Sequence, residues 1–154
     1  ANGLPKAQHL RRLQLADIAL DTRIYNGHTT TSDALWVGLP VLTQLGRSFP
    51  ARVAASLLRA VGMPEMVVES RADYIARAVQ FARDPTLLAE ARQKMDRQRL
   101  TAPLFDTDRF RRHLEEAYRI MWRHHASGSQ LRQFGNRLTR PAGPSGHERL
   151  AQLA

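Results

Sequence analysis

In "NGHTTTSDALWVGLPVLT", Asn26 to Thr43, a glycine, a histidine and three threonines stand directly before a helical run. Residues of these types at a helix start can hold an anion. β-Branching restricts the threonine side chains and their hydroxyls compete for backbone hydrogen bonds, so three in a row suit a helix start better than a helix interior. The first amides of a helix lack intrahelical partners and lie at the positive end of its dipole. Gly27, His28, Thr29 and Thr30 can therefore be read as a phosphate cradle: unpaired amides and the Thr29 and Thr30 hydroxyls hold a pyrophosphate, and His28 donates a further hydrogen bond. Asp33, one turn further in, would turn from the phosphates, which repel it, and accept from vicinal ribose hydroxyls. A plainer reading makes Thr30 the N-cap and puts Asp33 at N3, an acidic relative of the capping box. It leaves His28, Gly27 and the flanking threonines unexplained, and spacing alone keeps both readings open.

A second cluster precedes this one. Lys6, His9 and Arg12 recur at i, i+3 and i+6, along one side of a helix. Such a ladder is usually a solvated face. This helix and the threonine-led one flank the strand "IALDT", however, so their functional ends can converge on a crevice outside the strand ends. "GRSF", Gly46 to Phe49, is a loop near the same edge; it can border a ligand pocket, and turn formation alone also explains it. Other reactive pairings carry less. His124 and His125 are adjacent on a helix and point in different directions, so no metal site is assigned. Ser32, Asp33 and His28 have no triad spacing beyond adjacency. Trp36 and Trp122 are expected in the core or between helices.

The elements that must position these groups alternate. Pro5 opens a helix to about Leu15, and Asp17 to Thr22 reads as a buried strand. A helix through Trp36 ends at Gly38 and Pro40, and a strand follows at about 40–44. A helix carrying Val53, Ala54, Leu57, Leu58 and Val61 closes at Gly62, and a third strand lies at about 65–69. Ser70 caps a helix through Phe81, and Pro85 starts another to about Leu100. A last amphipathic helix, Asp108 to Ala126, should bury Phe110, Leu114, Ala117, Tyr118, Met121 and Trp122. Residues 127–154 mix Gly, Pro, Ser and Arg and read as a flexible basic tail. Strands separated by helices predict an α/β fold with a parallel sheet. Three strands amount to the C-terminal half of a doubly wound, Rossmann-like sheet with trailing helices, its first strands missing on the N-terminal side. Such a half exposes a strand edge.

The 154 residues bound the rest. A net charge of +9 raises a polyanion partner, but the arginines alternate with carboxylates between Arg92 and Arg123 as on a solvated helix, so a nucleic-acid role is not favoured. No window approaches about eighteen consecutive apolar residues, which argues against a membrane span. The absence of cysteine rules out thiolate chemistry within the chain and fits a reducing, cytoplasmic compartment. The chain is read as a piece of something longer.

The run from Leu4 to Leu58, which holds Lys-x-x-His-x-x-Arg, then "LADIALDT", then "NGHTTTSDALWVGLPV", resembles the C-terminal catalytic part of the peptide O-GlcNAc transferases and the related SPINDLY-type proteins. "PLFDTDRFRRHLEEAYRIMW", Pro103 to Trp122, is similar to the end of the same region. The resemblance covers about residues 4–126 and implies a metal-independent GT-B glycosyltransferase whose C-terminal lobe binds UDP-N-acetylglucosamine, with no cofactor. The roles it implies are these: the backbone at Leu4 meets the uracil, His9 packs on the nucleotide and Arg12 supports the base pocket. Lys6 and Asp33 hold the ribose, and His28, Thr29 and Thr30 contact the diphosphate and stabilise it as it leaves. It also implies a protein acceptor with a Ser or Thr hydroxyl, an N-terminal lobe and tetratricopeptide repeats that have no match in this chain. On that basis residues 1–126 are a partial nucleotide-sugar-binding lobe with no turnover alone. A GDP-fucose-using SPINDLY-type relative, or a basic α/β interaction or nucleic-acid-binding module without transferase activity, are the alternatives.

Overall fold

A computed structural model describes residues 3–128. The tail expected over 127–154 therefore lies, from residue 129 onward, outside the described residues. Contacts divide the chain into two compact units, with the boundary between Asp106 and Thr107.

In the first unit the order is α1 (Lys6–Leu13), β1 (Ala19–Leu20), α2 (Thr29–Trp36), β2 (Val41–Gln44), α3 (Val53–Ala60), a 3₁₀ turn (Pro64–Met66), β3 (Val67–Val68), α4 (Arg71–Arg83) and α5 (Pro85–Gln98). The strands form a parallel sheet in the order β1-β2-β3, with Ala19 opposite Val41 and Thr43 opposite Val67. Right-handed crossovers stepping one way across a sheet carry α2 and α3 to the same face, where they touch each other and β2. α4 packs on β2, β3 and α5. Successive residues of a strand face opposite ways, and Val41, Leu42 and Thr43 are all buried, so β2 is covered on both faces. Leu35, Leu42, Leu58, Met63, Met66 and Met95 are completely buried at the centre.

The punctuation read from the sequence closes these elements. Gly38 ends α2 at φ +82°, a conformation that disfavours any side chain. The Ser70 hydroxyl accepts from the Asp73 amide at 3.0 Å to cap α4, and the Asp84 carboxylate accepts from the Thr86 and Leu87 amides to cap α5.

Three expectations are corrected. The buried strand over 17–22 shrinks to the two residues of β1, and Leu20 is 55% exposed. Among the described residues β1 pairs only with β2 and is an edge strand, with its other flank unpaired. Trp36 meets Phe105 edge-on at 5.1 Å, yet it remains more than half exposed and is no core residue. The second unit contains α6 (Thr107–Ala126), which has no buried residue. Phe110, Tyr118 and Trp122 lie on its surface, because a 3.6-residue apolar period marks a face without guaranteeing that anything covers it. Among the described residues no helix is long and apolar enough to cross a membrane.

Candidate functional site

The site is built where the carboxyl ends of β1 and β2 meet the start of α2. α1 lies against α2, and that contact gathers side chains distant in sequence. Lys6 Nζ reaches both Asp33 carboxylate oxygens at 2.6 Å, and His9 Nε2 lies 3.4 Å from Asp33 Oδ2. The Lys6 side chain is 62% exposed and that of Asp33 only 14%. With its cation so exposed, such a pair adds at most about 1 kcal/mol to stability. What it does is aim: the Asp33 carboxylate is held at one orientation beside a helix start. Leu4, just before α1, and Arg12 on α1 are both exposed, and Arg12 has no ion-pair partner among the described residues.

The capping-box alternative does not form. α2 begins at Thr29 with His28 at the N-cap position and no side-chain cap bond, which makes Asp33 the fifth helical residue, too deep to cap. The three threonines divide by role. Thr31 is buried and donates its hydroxyl to the Gly27 carbonyl at 2.8 Å. Thr29 and Thr30 are exposed, with hydroxyls free among the described residues. The first intrahelical bond runs from the Ser32 amide to the His28 carbonyl at 3.0 Å, so the amides of Thr29, Thr30 and Thr31 stay available for a ligand. Gly27 is required by contact: a Cβ there would stand 2.5 Å from Thr31 Oγ1 and 2.7 Å from Thr30 Oγ1.

Asp21, which the sequence reading treats only as part of a strand, organises this loop. Its Oδ1 accepts from the Gly27 amide at 2.7 Å and its Oδ2 from the Thr43 hydroxyl at 2.5 Å. The Tyr74 hydroxyl donates to its backbone carbonyl at 2.9 Å. Burial, with the Asp21 charge adding to it, pushes the Tyr74 phenol above its ordinary pKa. The signal available in the sequence was Thr43, a hydroxyl inside an apolar strand that must find a partner once buried. Asn26 is buried next to it, its amide donating to the Pro50 carbonyl at 3.1 Å and its Nδ2 to the Thr22 carbonyl at 3.1 Å. The Pro50 bond ties the Gly46–Phe49 loop to the cradle. A cleft of about 410 Å³ runs between them, lined by Arg23, Ile24, Asn26, Gly46, Arg47 and Ser48.

The arrangement presents unpaired amides, two free hydroxyls and a histidine at a helix start, with an oriented carboxylate one turn away. Chemically it can hold a diphosphate and a vicinal diol together.

Comparisons with known proteins show the family. The family described as Glycosyl transferase family 41 matches residues 1–114. A Caenorhabditis elegans protein named UDP-N-acetylglucosamine–peptide N-acetylglucosaminyltransferase is 38% identical over 93% of this chain, which corresponds to 12% of that protein. A protein from Arabidopsis thaliana named "Probable UDP-N-acetylglucosamine–peptide N-acetylglucosaminyltransferase SEC" is 42% identical over 84% of this chain and 13% of its own length. One designated SPINDLY, from Oryza sativa subsp. japonica, is 38% identical over 78% of this chain and 13% of its own length. A solved mutant of the Thermobaculum terrenum O-GlcNAc transferase superposes with a TM-score of 0.74 at 37% identity, covering 80% of this chain and 24% of that one. The chain thus spans about an eighth of the curated relatives it matches, and the α/β half-sheet is the fold of the matching region.

Proposed function

This chain belongs to glycosyl transferase family 41, and from that premise we propose that it is the donor-binding part of a protein O-GlcNAc transferase, taking UDP-N-acetylglucosamine. The observation that carries the proposal is the convergence of Lys6 and His9 on Asp33, beside a helix start whose first amides and whose Thr29 and Thr30 hydroxyls are unpaired. Two separate helices contribute to one small polar surface, and a solvated basic ladder would not need the second.

In this reading the diphosphate seats on the amides of Thr29, Thr30 and Thr31, with the Thr29 and Thr30 hydroxyls and His28 around it. Asp33 accepts from the ribose hydroxyls while Lys6 donates to them and fixes the carboxylate. His9 packs on the nucleotide, Arg12 supports the base pocket and the Leu4 backbone faces the uracil. During transfer the bond from the sugar to the diphosphate breaks and negative charge grows on the departing phosphate. Fixed amides at the positive end of a helix dipole stabilise that charge without rearranging. His28, Thr29 and Thr30 are the leaving-group stabilisers.

Transfer to a Ser or Thr hydroxyl also needs a positioned acceptor and a route for its proton. We assign both to the rest of a longer parent protein, and expect residues 1–126, the partial lobe, to bind donor without turnover. Cytoplasmic placement and a protein acceptor are parts of the same proposal.

Titration of the chain with UDP and with GDP by calorimetry, at moderate salt, tests it. Saturable UDP binding that Asp33→Ala and His28→Ala each weaken in folded protein is the expected result. Binding that neither substitution weakens, or that collapses with salt as a diffuse polyanion contact does, would refute it.

A further inference from the structure

We propose that Tyr25 and Phe49 form an aromatic clamp that holds the His28 imidazole in the orientation in which it meets the donor diphosphate, Tyr25 being the main positioning residue. The inference rests on the donor-site reading above and adds residues that it does not contain.

The Tyr25 and His28 rings stack with centroids 4.9 Å apart and planes 19° from parallel. Phe49 meets the same imidazole edge-on, 6.3 Å away at 89°. Among the described residues no hydrogen bond orients the His28 side chain. Its side chain makes no cap bond although it sits at the N-cap position, and its Nε2 is buried without a partner. An imidazole with no hydrogen bond to fix it can turn about its last torsion and present carbon instead of nitrogen. Rings on its face and edge remove that freedom before a ligand arrives, so binding does not have to.

Tyr25 is otherwise unnecessary to the loop. It is 63% exposed. Its carbonyl is held by the Thr22 hydroxyl at 2.7 Å, and the next residue, Asn26, is tied to Pro50 and Thr22. The backbone is thus pinned independently of the ring. The Asn26–Pro50 bond also holds the residue next to Phe49, which meets the His28 ring edge-on.

The test combines NMR of the histidine ring signals with UDP titration of the 154-residue chain. Without ligand, the His28 ring protons should be shifted by the stacked tyrosine; Tyr25→Ala should abolish the shift and Tyr25→Phe should keep it. UDP affinity should fall roughly threefold to tenfold in Tyr25→Ala, the range of an aromatic pair, and recover in Tyr25→Phe. In the His28→Ala background, Tyr25→Ala should cost nothing further, which a merely structural role would not predict. Three results would overturn the clamp: unchanged ring shifts and affinity in Tyr25→Ala, Tyr25→Phe behaving like Tyr25→Ala, or an undiminished Tyr25→Ala loss without His28. Failure of the unsubstituted chain to bind UDP would instead refute the donor-site reading, and the ring shifts alone would then decide whether the clamp exists.

Discussion

α1 and α6 each carry basic residues that recur along one side of a helix, Lys6, His9 and Arg12 on one and Arg112, Arg119 and Arg123 on the other, yet they end in opposite situations. On α6 Arg111 meets Asp108 and Glu115, Arg112 meets Asp108, Arg119 meets Glu115 and Glu116, and Arg123 meets Glu116, all within the one helix. On α1, Lys6 and His9 cross to a carboxylate of a different helix, Asp33. A charge pattern becomes a site where the counter-ion comes from elsewhere in the fold, because only then does forming the fold position both partners. Local pairs form on any exposed helix and position nothing.

The sharpest break in that comparison is Asp33→Ala. Removing a carboxylate that accepts two ribose hydroxyls should weaken UDP binding by about 2–3 kcal/mol, roughly 30-fold to 150-fold, with little change in stability since Lys6 is solvated. Calorimetry and a urea titration of the same variant separate the two effects. Unaltered affinity would return α1 and α2 to the status of α6.

Asp21→Ala comes next and acts on folding. It strands the Gly27 amide and the buried Thr43 hydroxyl, and leaving such groups unpaired costs about 2 kcal/mol. The urea midpoint should fall accordingly. UDP binding should weaken too, because the loop into α2 loses its anchor.

These two aspartates also show what the sequence conveys and what it withholds. The element order was legible because Gly38, Pro40, Gly62, Ser70 and Pro85 punctuate the chain by backbone chemistry that acts locally. Asp33 could be singled out because a carboxylate near a phosphate cradle needs a reason. Asp21 was not, since its partners Gly27, Thr43 and Tyr74 lie 6, 22 and 53 residues away and only the sheet brings them together. The role of Thr31 was hidden for a similar reason. Hydroxyl, hydroxyl, hydroxyl is one pattern, and only the turn of the helix buries the third while leaving the first two open. The exposure of Leu20 and of the apolar face of α6 could not be read at all, as periodicity reports a face and never its cover.

Tyr74→Phe tests the same anchor more gently. Loss of its hydrogen bond to the Asp21 carbonyl should cost about 1 kcal/mol. Its pKa is raised in the fold, so its contribution is fully present below the unfolded value near 10 and is lost as pH rises through the folded value. The native chain should therefore lose stability on the alkaline side in a way that Tyr74→Phe does not, as denaturant midpoints between about pH 8 and 11 would show.

The smallest effect is expected on α6, and its smallness is the informative part. Asp108, the second residue of that helix, is held below the usual carboxylate range by its hydrogen bond with Arg111 and the neighbouring Arg112 charge. The sign follows from the lowered value: whatever it contributes is present above the unfolded carboxylate pKa near 4 and disappears as pH falls through the folded one. Acid should loosen the first turn of α6, where a negative charge also favours the helix dipole, and Asp108→Asn should remove that dependence. About 1 M salt should do the same by screening. Carbonyl-carbon NMR shifts across α6 would record both, and UDP affinity at neutral pH should not move. If Asp108→Asn weakened UDP binding as Asp33→Ala does, the local pairs of α6 would have to be coupled to the site, and the distinction between a solvated ladder and a functional one would fail.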